Sequence, residues 1–184
     1  MAPSAARAGT NVRFVEASVY DAPAALGATY DMVYVNWGAI NWLDDIFRWA
    51  KVVAALLRPG GRLYLLEGHP QMNQLEARGG KLELEFGWRT PMERPLVFDE
   101  MQTYTGDERA IAHTRNYEWI HPLSDIVNAL ISAGLEIDFL NEHEIVVWRA
   151  FPFVVETVEG QFCLPEGMPK IPLSFSIGAT RRQA

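Results

Sequence analysis

The chain has 184 residues, of which 16 are Lys or Arg and 23 are Asp or Glu, giving a net charge of −7; 49% are hydrophobic and 21% charged. That balance excludes an intrinsically disordered chain, and an acidic chain without a clustered basic stripe excludes nucleic acid and anionic membrane surfaces as expected partners. The length suits one domain, which at this size buries roughly 70% of the surface its unfolded chain exposes. A lone cysteine, Cys163, leaves no internal disulfide framework and no CxxC zinc site, so a reducing, cytoplasmic setting is expected. The first residues lack the apolar segment of a signal peptide, and no run approaches the ~20 residues of a membrane span.

In chain order, Val12-Arg13-Phe14-Val15-Glu16-Ala17 alternates and is rich in β-branched residues, which predicts a strand, and Tyr20-Asp21-Ala22-Pro23 predicts the turn after it. Residues 30–35 are apolar at nearly every position after Asp31, as in a strand covered on both faces, and they lead into Asn36-Trp37-Gly38. Residues 44–57 carry Ile46, Ala50, Val53 and Leu57 at helical spacing, with Asp44 and Asp45 at the positive end, and Arg58-Pro59-Gly60-Gly61 stops them. A third apolar run, 63–66, completes a strand-helix-strand unit whose right-handed crossover makes the two strands parallel. The predicted class is α/β.

Beyond His69-Pro70 the regularity breaks. Residues 76–86 alternate around Gly79-Gly80, and 96–120 hold two polar-aromatic stretches around Thr105-Gly106-Asp107, both predicted as hairpins. Helical spacing returns over 123–132, closed by Ala133-Gly134, with a strand over 135–140. A Pro- and aromatic-rich stretch, 151–172, precedes a last strand over 173–179 and the short basic tail Arg181-Arg182.

Taken together, Val12-Arg13-Phe14-Val15-Glu16-Ala17, Tyr30-Asp31-Met32-Val33-Tyr34-Val35, Leu57-Arg58-Pro59-Gly60-Gly61-Arg62-Leu63, Ile131-Ser132-Ala133-Gly134-Leu135 and Ile171-Pro172-Leu173-Ser174-Phe175-Ser176 resemble class I S-adenosylmethionine-dependent methyltransferases acting on small molecules. The resemblance implies a Rossmann-like sheet, mostly parallel with an antiparallel last strand, in the order three, two, one, four, five, seven, six. Residues 71–120 would form a hairpin insertion, or lid, within a single domain spanning 1–184. The family's first two strands and the Asp-x-Gly-x-Gly loop between them have no counterpart in the sequence, so the domain is expected to be incomplete at its amino end. Two or three lost hydrogen bonds to a charged ligand, at ~1.5 to 3 kcal/mol each, would weaken cofactor binding by on the order of 10³-fold. The orphaned sheet edge would then favour a homodimer or strand exchange.

In the family the ligand crosses the carboxyl ends of the strands. The resemblance therefore assigns S-adenosylmethionine contacts to Ser18, Val19 and Asp21 in one loop and to Asn36, Trp37 and Gly38 in the next, with Ser18 standing where many members carry Asp. It assigns substrate contacts to Trp42, Tyr104, Trp119 and Trp148, an aromatic set suited to an apolar or planar molecule. His69, ending the strand over 63–66, is the candidate general base, although methyl transfer from a sulfonium needs only alignment and a deprotonated nucleophile. His113, His121 and His143 lack metal-ligand spacing, so no metal is expected. The alternative to an enzyme is a methyltransferase-like binding or assembly module without activity.

Overall fold

The computed structural model describes residues 12–99 and 114–183. Residues 12–17 do not form the predicted strand: they lie outside any strand, and Phe14 is 60% exposed. Alternation alone does not make a strand where no neighbour supplies ladder partners, and none of the strands described pairs with this segment. Ser18 then accepts the Tyr20 N–H at 3.3 Å and caps a single 3-10 turn, Val19–Asp21. Pro23, in the first turn of helix α1 (Ala22–Leu26), sits where its missing N–H costs nothing, and Gly27 at φ +62° ends the helix.

Strand β1 (Tyr30–Asn36) is followed by a 3-10 turn, Ile40–Trp42, and by helix α2 (Ile46–Leu56). The helix starts two residues later than the spacing predicts because Asp45 is its cap, accepting the Arg48 N–H at 2.9 Å. Strand β2 (Leu57–Gly68) begins where α2 stops and is longer than the predicted run. It carries Pro59-Gly60-Gly61 through an irregularity: Tyr30 faces Leu57 while Met32 faces Arg62. From there the parallel register is regular, from Val33 opposite Leu63 to Asn36 opposite Leu66.

The hairpin of β3 (Leu75–Arg78) and β4 (Lys81–Leu84) turns at Gly79 and Gly80, both at positive φ, as a two-residue hairpin loop requires. Strands β5 (Leu96–Asp99) and β6 (Arg115–Glu118) pair antiparallel. Helix α3 (Leu123–Ser132) has the predicted bounds, with Gly134 just beyond it at φ +84°. It leads into β7 (Leu135–His143), the small hairpin of β8 (Val155–Val158) and β9 (Gln161–Cys163), and finally β10 (Ser174–Arg181).

The main sheet has the order β1-β2-β10-β7 among the described residues. β10 is antiparallel to both neighbours, so β1, β2 and β7 point one way and the last strand opposes them. This is the order expected of the family's fourth, fifth, seventh and sixth strands. One face of the sheet is the core: Leu63, Leu65, Phe175, Ile177 and Leu135 pack against Trp49, Ala50 and Val53 of α2 and Ile126, Ala129 and Leu130 of α3. The other face carries an aromatic row, with Tyr34 stacked on Tyr64 at 5.8 Å and Tyr64 edge-on to Phe139 at 6.2 Å. Met32 and Tyr34 on β1 are 58% and 57% exposed there. A second small core, with Met72, Val146, Phe151 and Leu173, supports the segment that brings Trp148 back over the strand ends.

Among the described residues no helix is long and apolar enough to cross a membrane.

Candidate active site

Parallel strands that end in register place their exit loops side by side. At the carboxyl ends of β1 and β2 the Trp37 N–H donates to the Leu66 carbonyl at 2.8 Å, and then the chain turns sharply. Trp37 holds φ +46° and Gly38 φ +78°, a left-handed pair that is routine for glycine and unusual for tryptophan. Strained backbone of this kind persists only where its surroundings over-determine it.

The over-determination comes from Glu67. It lies one residue past Leu66, is 3% exposed, and its carboxylate accepts the N–H groups of Gly38 at 2.5 Å, Ala39 at 2.7 Å and Ile40 at 3.2 Å. Burial pushes its carboxyl above the ordinary carboxylate range, against the pull of those N–H groups. Glu67 is thereby committed to shaping the turn.

The turn is tied in its other direction to β6 and the residues after it. The Trp119 N–H donates to the Asn41 carbonyl at 2.8 Å, and Asn41 Nδ2 donates to Glu118 at 3.1 Å. His121, 8% exposed, has Nε2 2.7 Å from the Leu43 carbonyl, and burial holds its pKa below the usual histidine value. The Trp119 indole N–H reaches the Met92 carbonyl at 3.1 Å. On the opposite side Trp148 meets Trp37 edge-on, ring centroids 5.4 Å apart. Gly68 permits that approach: a Cβ there would stand 3.2 Å from Met72 Cε and 3.4 Å from the Trp148 ring.

Between these walls lies a cavity of about 700 Å³, within the range of small-molecule sites. Trp37, Gly38, Trp42, Trp119 and Trp148 line it, together with Phe86 just beyond β4, Phe98 of β5 and the polar groups of Asn41, Glu76, Glu118 and His121.

No family model matches the sequence, and no curated protein matches it at the level of sequence. Solved structures do match. A protein of Listeria monocytogenes classed with the S-adenosylmethionine-dependent methyltransferases superposes with a TM-score of 0.58 at 14% identity, over 98% of this chain and 75% of that one. An S-adenosylmethionine-dependent methyltransferase from Clostridium acetobutylicum gives 0.56 at 11% identity, over 98% of this chain and 69% of that one. The chain has the S-adenosylmethionine-dependent methyltransferase fold.

Within that methyltransferase fold, the predicted site residues fall into three groups. Trp37 and Gly38, predicted for the cofactor, and Trp42, Trp119 and Trp148, predicted for the substrate, converge on the cavity. Tyr104 lies outside the described residues.

Ser18, Val19, Asp21 and Asn36 are not among the cavity's lining residues. Ser18 caps its own turn, Val19 packs on the main core, and Tyr20 ties the turn to the residues that start α2. The Tyr20 hydroxyl donates to Asp44 at 2.6 Å and accepts the Asp45 N–H at 3.0 Å, and burial together with Asp44 pushes its pKa up to about 12. Asn36 is the last residue of β1.

His69 is also placed apart. It is 6% exposed and does not line the cavity; Nδ1 accepts the Gln71 N–H at 3.1 Å, which leaves Nε2 to donate to Glu142 at 3.0 Å. With both ring nitrogens engaged and burial lowering its pKa, this histidine fixes the exit of β2 and is badly placed to take a proton from a ligand.

Sequence reasoning missed Asn41, Glu76 and Glu118 as cavity residues and Glu67 as the carboxylate that sets the turn. A signal for Glu67 was present: a single acid at the end of an otherwise apolar parallel strand must find buried donors. Nothing local marks the others, whose placement follows from the pairing of distant segments. Among the described residues no three His, Cys, Asp or Glu side chains are grouped to hold a metal ion.

Proposed function

We propose that the chain transfers a methyl group from S-adenosylmethionine to a small-molecule acceptor. The observation that carries this is the position of the aromatic cavity, at the carboxyl ends of two parallel strands of a methyltransferase-fold sheet, where open α/β sheets take their ligands. The residues suit the cofactor's chemistry. The walls are planar aromatics, and no Lys or Arg among the described lining residues opposes a sulfonium charge. When bound, S-adenosylmethionine supplies an electrophilic methyl group, which forms a bond to the acceptor's lone pair while the C–S electron pair stays on sulfur.

The chain's own contribution is alignment and exclusion of water. Glu67 holds the Trp37–Gly38 turn in its left-handed geometry, and the bonds from Asn41 and His121 keep the residues around β6 closed against it. On this reading the cofactor lies against Trp37, Gly38 and Trp148, while Trp42 and Trp119 face the acceptor under a cover to which residues 71–99 and 114–120 contribute. No protein base is required, and His69 acts by holding the strand exit. The direct test is a thermal-shift comparison of the chain and its Gly38→Val variant with S-adenosylhomocysteine. Stabilisation of the parent and none of the variant is expected, and no response of the parent contradicts the reading.

A second reading, a non-catalytic assembly module, has one observation in its favour: the exposed Tyr34–Tyr64–Phe139 row beside the outer edge of β1, which among the described residues pairs only with β2. A homodimer formed through that edge would show as twice the monomer mass in light scattering and would fall apart on Tyr34→Lys.

A further inference from the structure

We infer that residues 85–95, the strap joining β4 to β5, gate the cavity, and that the Arg89–Asp125 ion pair is the latch of that gate. What the gate admits rests on the methyl-transfer reading; the latch itself does not. The strap carries part of the cavity wall. Phe86 at its start meets Phe98 of β5 edge-on, ring centroids 5.8 Å apart, and both rings line the space. Ile120, His121 and Ile126 line it too, and they belong to the segment after β6 and to α3. A movement of the strap away from α3 parts these two sets of lining residues.

The strap is held at separate points. At its start the Glu85 and Phe86 N–H groups both donate to the Gln74 carbonyl, at 2.9 and 3.1 Å. Further on, the Thr90 N–H donates to the Ile120 carbonyl and Thr90 Oγ1 accepts the Ile120 N–H, each at 3.0 Å. Between these anchors Gly87, Trp88 and Arg89 make no main-chain hydrogen bond among the described residues. The Arg89 side chain ties them down instead. Its Nε and Nη2 donate to the two Asp125 carboxylate oxygens at 2.8 and 2.6 Å, and its guanidinium lies 4.5 Å from the centre of the Trp88 ring.

Asp125 stands in the first turn of α3, whose buried face belongs to the main core, so the pair runs from the strap to the body of the molecule. Among the described residues no other ion pair does so: those of Arg78 reach Glu83 and Glu85, and Arg115 pairs with Asp99 across β5 and β6. The two side chains are 48% and 21% exposed, so water and salt reach the pair. A buried pair would fix the strap permanently. A solvated bidentate pair gives it one defined closed position, contributes little to global stability, and opens by local fluctuation.

The test leaves Asp125 in place, because its charge also acts on His121 and favours the positive end of α3. Amide hydrogen exchange is followed by mass spectrometry on the intact parent chain, Arg89→Lys and Arg89→Gln. Peptides carrying Thr90 and Ile120 are expected to exchange about fivefold faster in Arg89→Gln, with those carrying Leu63 and Leu65 of β2 unchanged and Arg89→Lys in between. Raising NaCl from about 0.05 to about 1 M should bring the parent towards Arg89→Gln and leave that variant nearly unmoved, a response that a purely apolar brace would not show. Equal exchange in the parent and Arg89→Gln, or an acceleration shared by β2, overturns the inference. Stopped-flow mixing with S-adenosylhomocysteine adds the passage itself: Arg89→Gln should raise the association and dissociation rates together, and unchanged rates on a parent that binds refute the gate. A parent that does not bind S-adenosylhomocysteine refutes the methyl-transfer reading, and the exchange rates then decide the latch by themselves.

Discussion

Glu67 Oε2 lies 2.5 Å from the Gly38 nitrogen, so a carboxylate at the end of β2 holds the turn that leaves β1. The two residues are 29 apart in sequence, and their contact joins the exits of two parallel strands into one wall of the cavity. Removing the carboxylate leaves up to three N–H groups of that turn unpaired, at ~1 to 3 kcal/mol for each one buried. Glu67→Ala is therefore expected to lower unfolding stability by about 3 kcal/mol in denaturant titration, and Glu67→Gln, which keeps one carbonyl acceptor, by clearly less.

Two glycines of the sheet differ in what surrounds them. A Cβ on Gly61 would stand 2.9 Å from both the Arg58 and the Tyr30 carbonyl oxygens, backbone atoms at the irregular start of the β1–β2 pair. A Cβ on Gly178 would overlap the Phe139 ring, a side chain on the exposed face of the sheet. Gly61→Ala should cost about 2 kcal/mol, because backbone cannot step aside, and Gly178→Ala less than about 1 kcal/mol, because the ring can rotate. Equal losses in thermal unfolding would show that the ring is as fixed as the strand.

Trp148 is 37% exposed and meets Trp37 at the cavity mouth. Its truncation removes one edge-to-face pair, worth ~0.5 to 1.5 kcal/mol, so Trp148→Ala should unfold only slightly earlier than the parent. On the proposed reading, in which Trp148 forms one wall of the cofactor site, the affinity for S-adenosylhomocysteine is expected to fall by about tenfold.

Acid should destabilise the protein through two histidines. Burial holds His69 and His121 below the ordinary histidine pKa, so the unfolded chain binds more protons than the folded one between the folded values and about 6.5. Their stabilising contribution is complete above that value and is lost as pH falls through the window below it. Glu67, raised by burial, runs in the opposite direction: its contribution is complete below the unfolded carboxyl value and is lost as pH rises through its folded value. The expected result is a melting temperature that drops between pH 7.5 and 5.5, and a smaller drop in His121→Gln, whose amide can keep the bond to the Leu43 carbonyl without titrating.

What was legible in the sequence was whatever depends on local periodicity and turn chemistry. Helix α3 follows from apolar spacing and Gly134, β1 from an unbroken apolar run, and the β3–β4 hairpin from Gly79-Gly80. The Trp37–Gly38 turn was legible because it follows an apolar run, although that strand is covered on one face only, with Met32 and Tyr34 exposed on the other. Residues 12–17 misled because alternation describes a side-chain pattern and says nothing of a partner strand. The reach of β2 back to Leu57, through a proline, depends on a parallel neighbour that tolerates an irregularity. The β8–β9 hairpin was hidden in a stretch that reads as loop. His121 could not be placed from its neighbours because its partner, Leu43, is 78 residues away, and Glu118 lies 77 residues from Asn41, which it binds.

The central claim, that the cavity at the ends of β1 and β2 holds the cofactor of a methyl transfer, is tested most directly by calorimetric titration of the chain with S-adenosylhomocysteine. Ligand concentrations should reach the millimolar range, so that weak as well as tight binding registers. Saturable heat with one ligand per chain, weakened in Trp148→Ala, is the predicted result. No heat at millimolar ligand would contradict the claim and leave a methyltransferase fold put to another use.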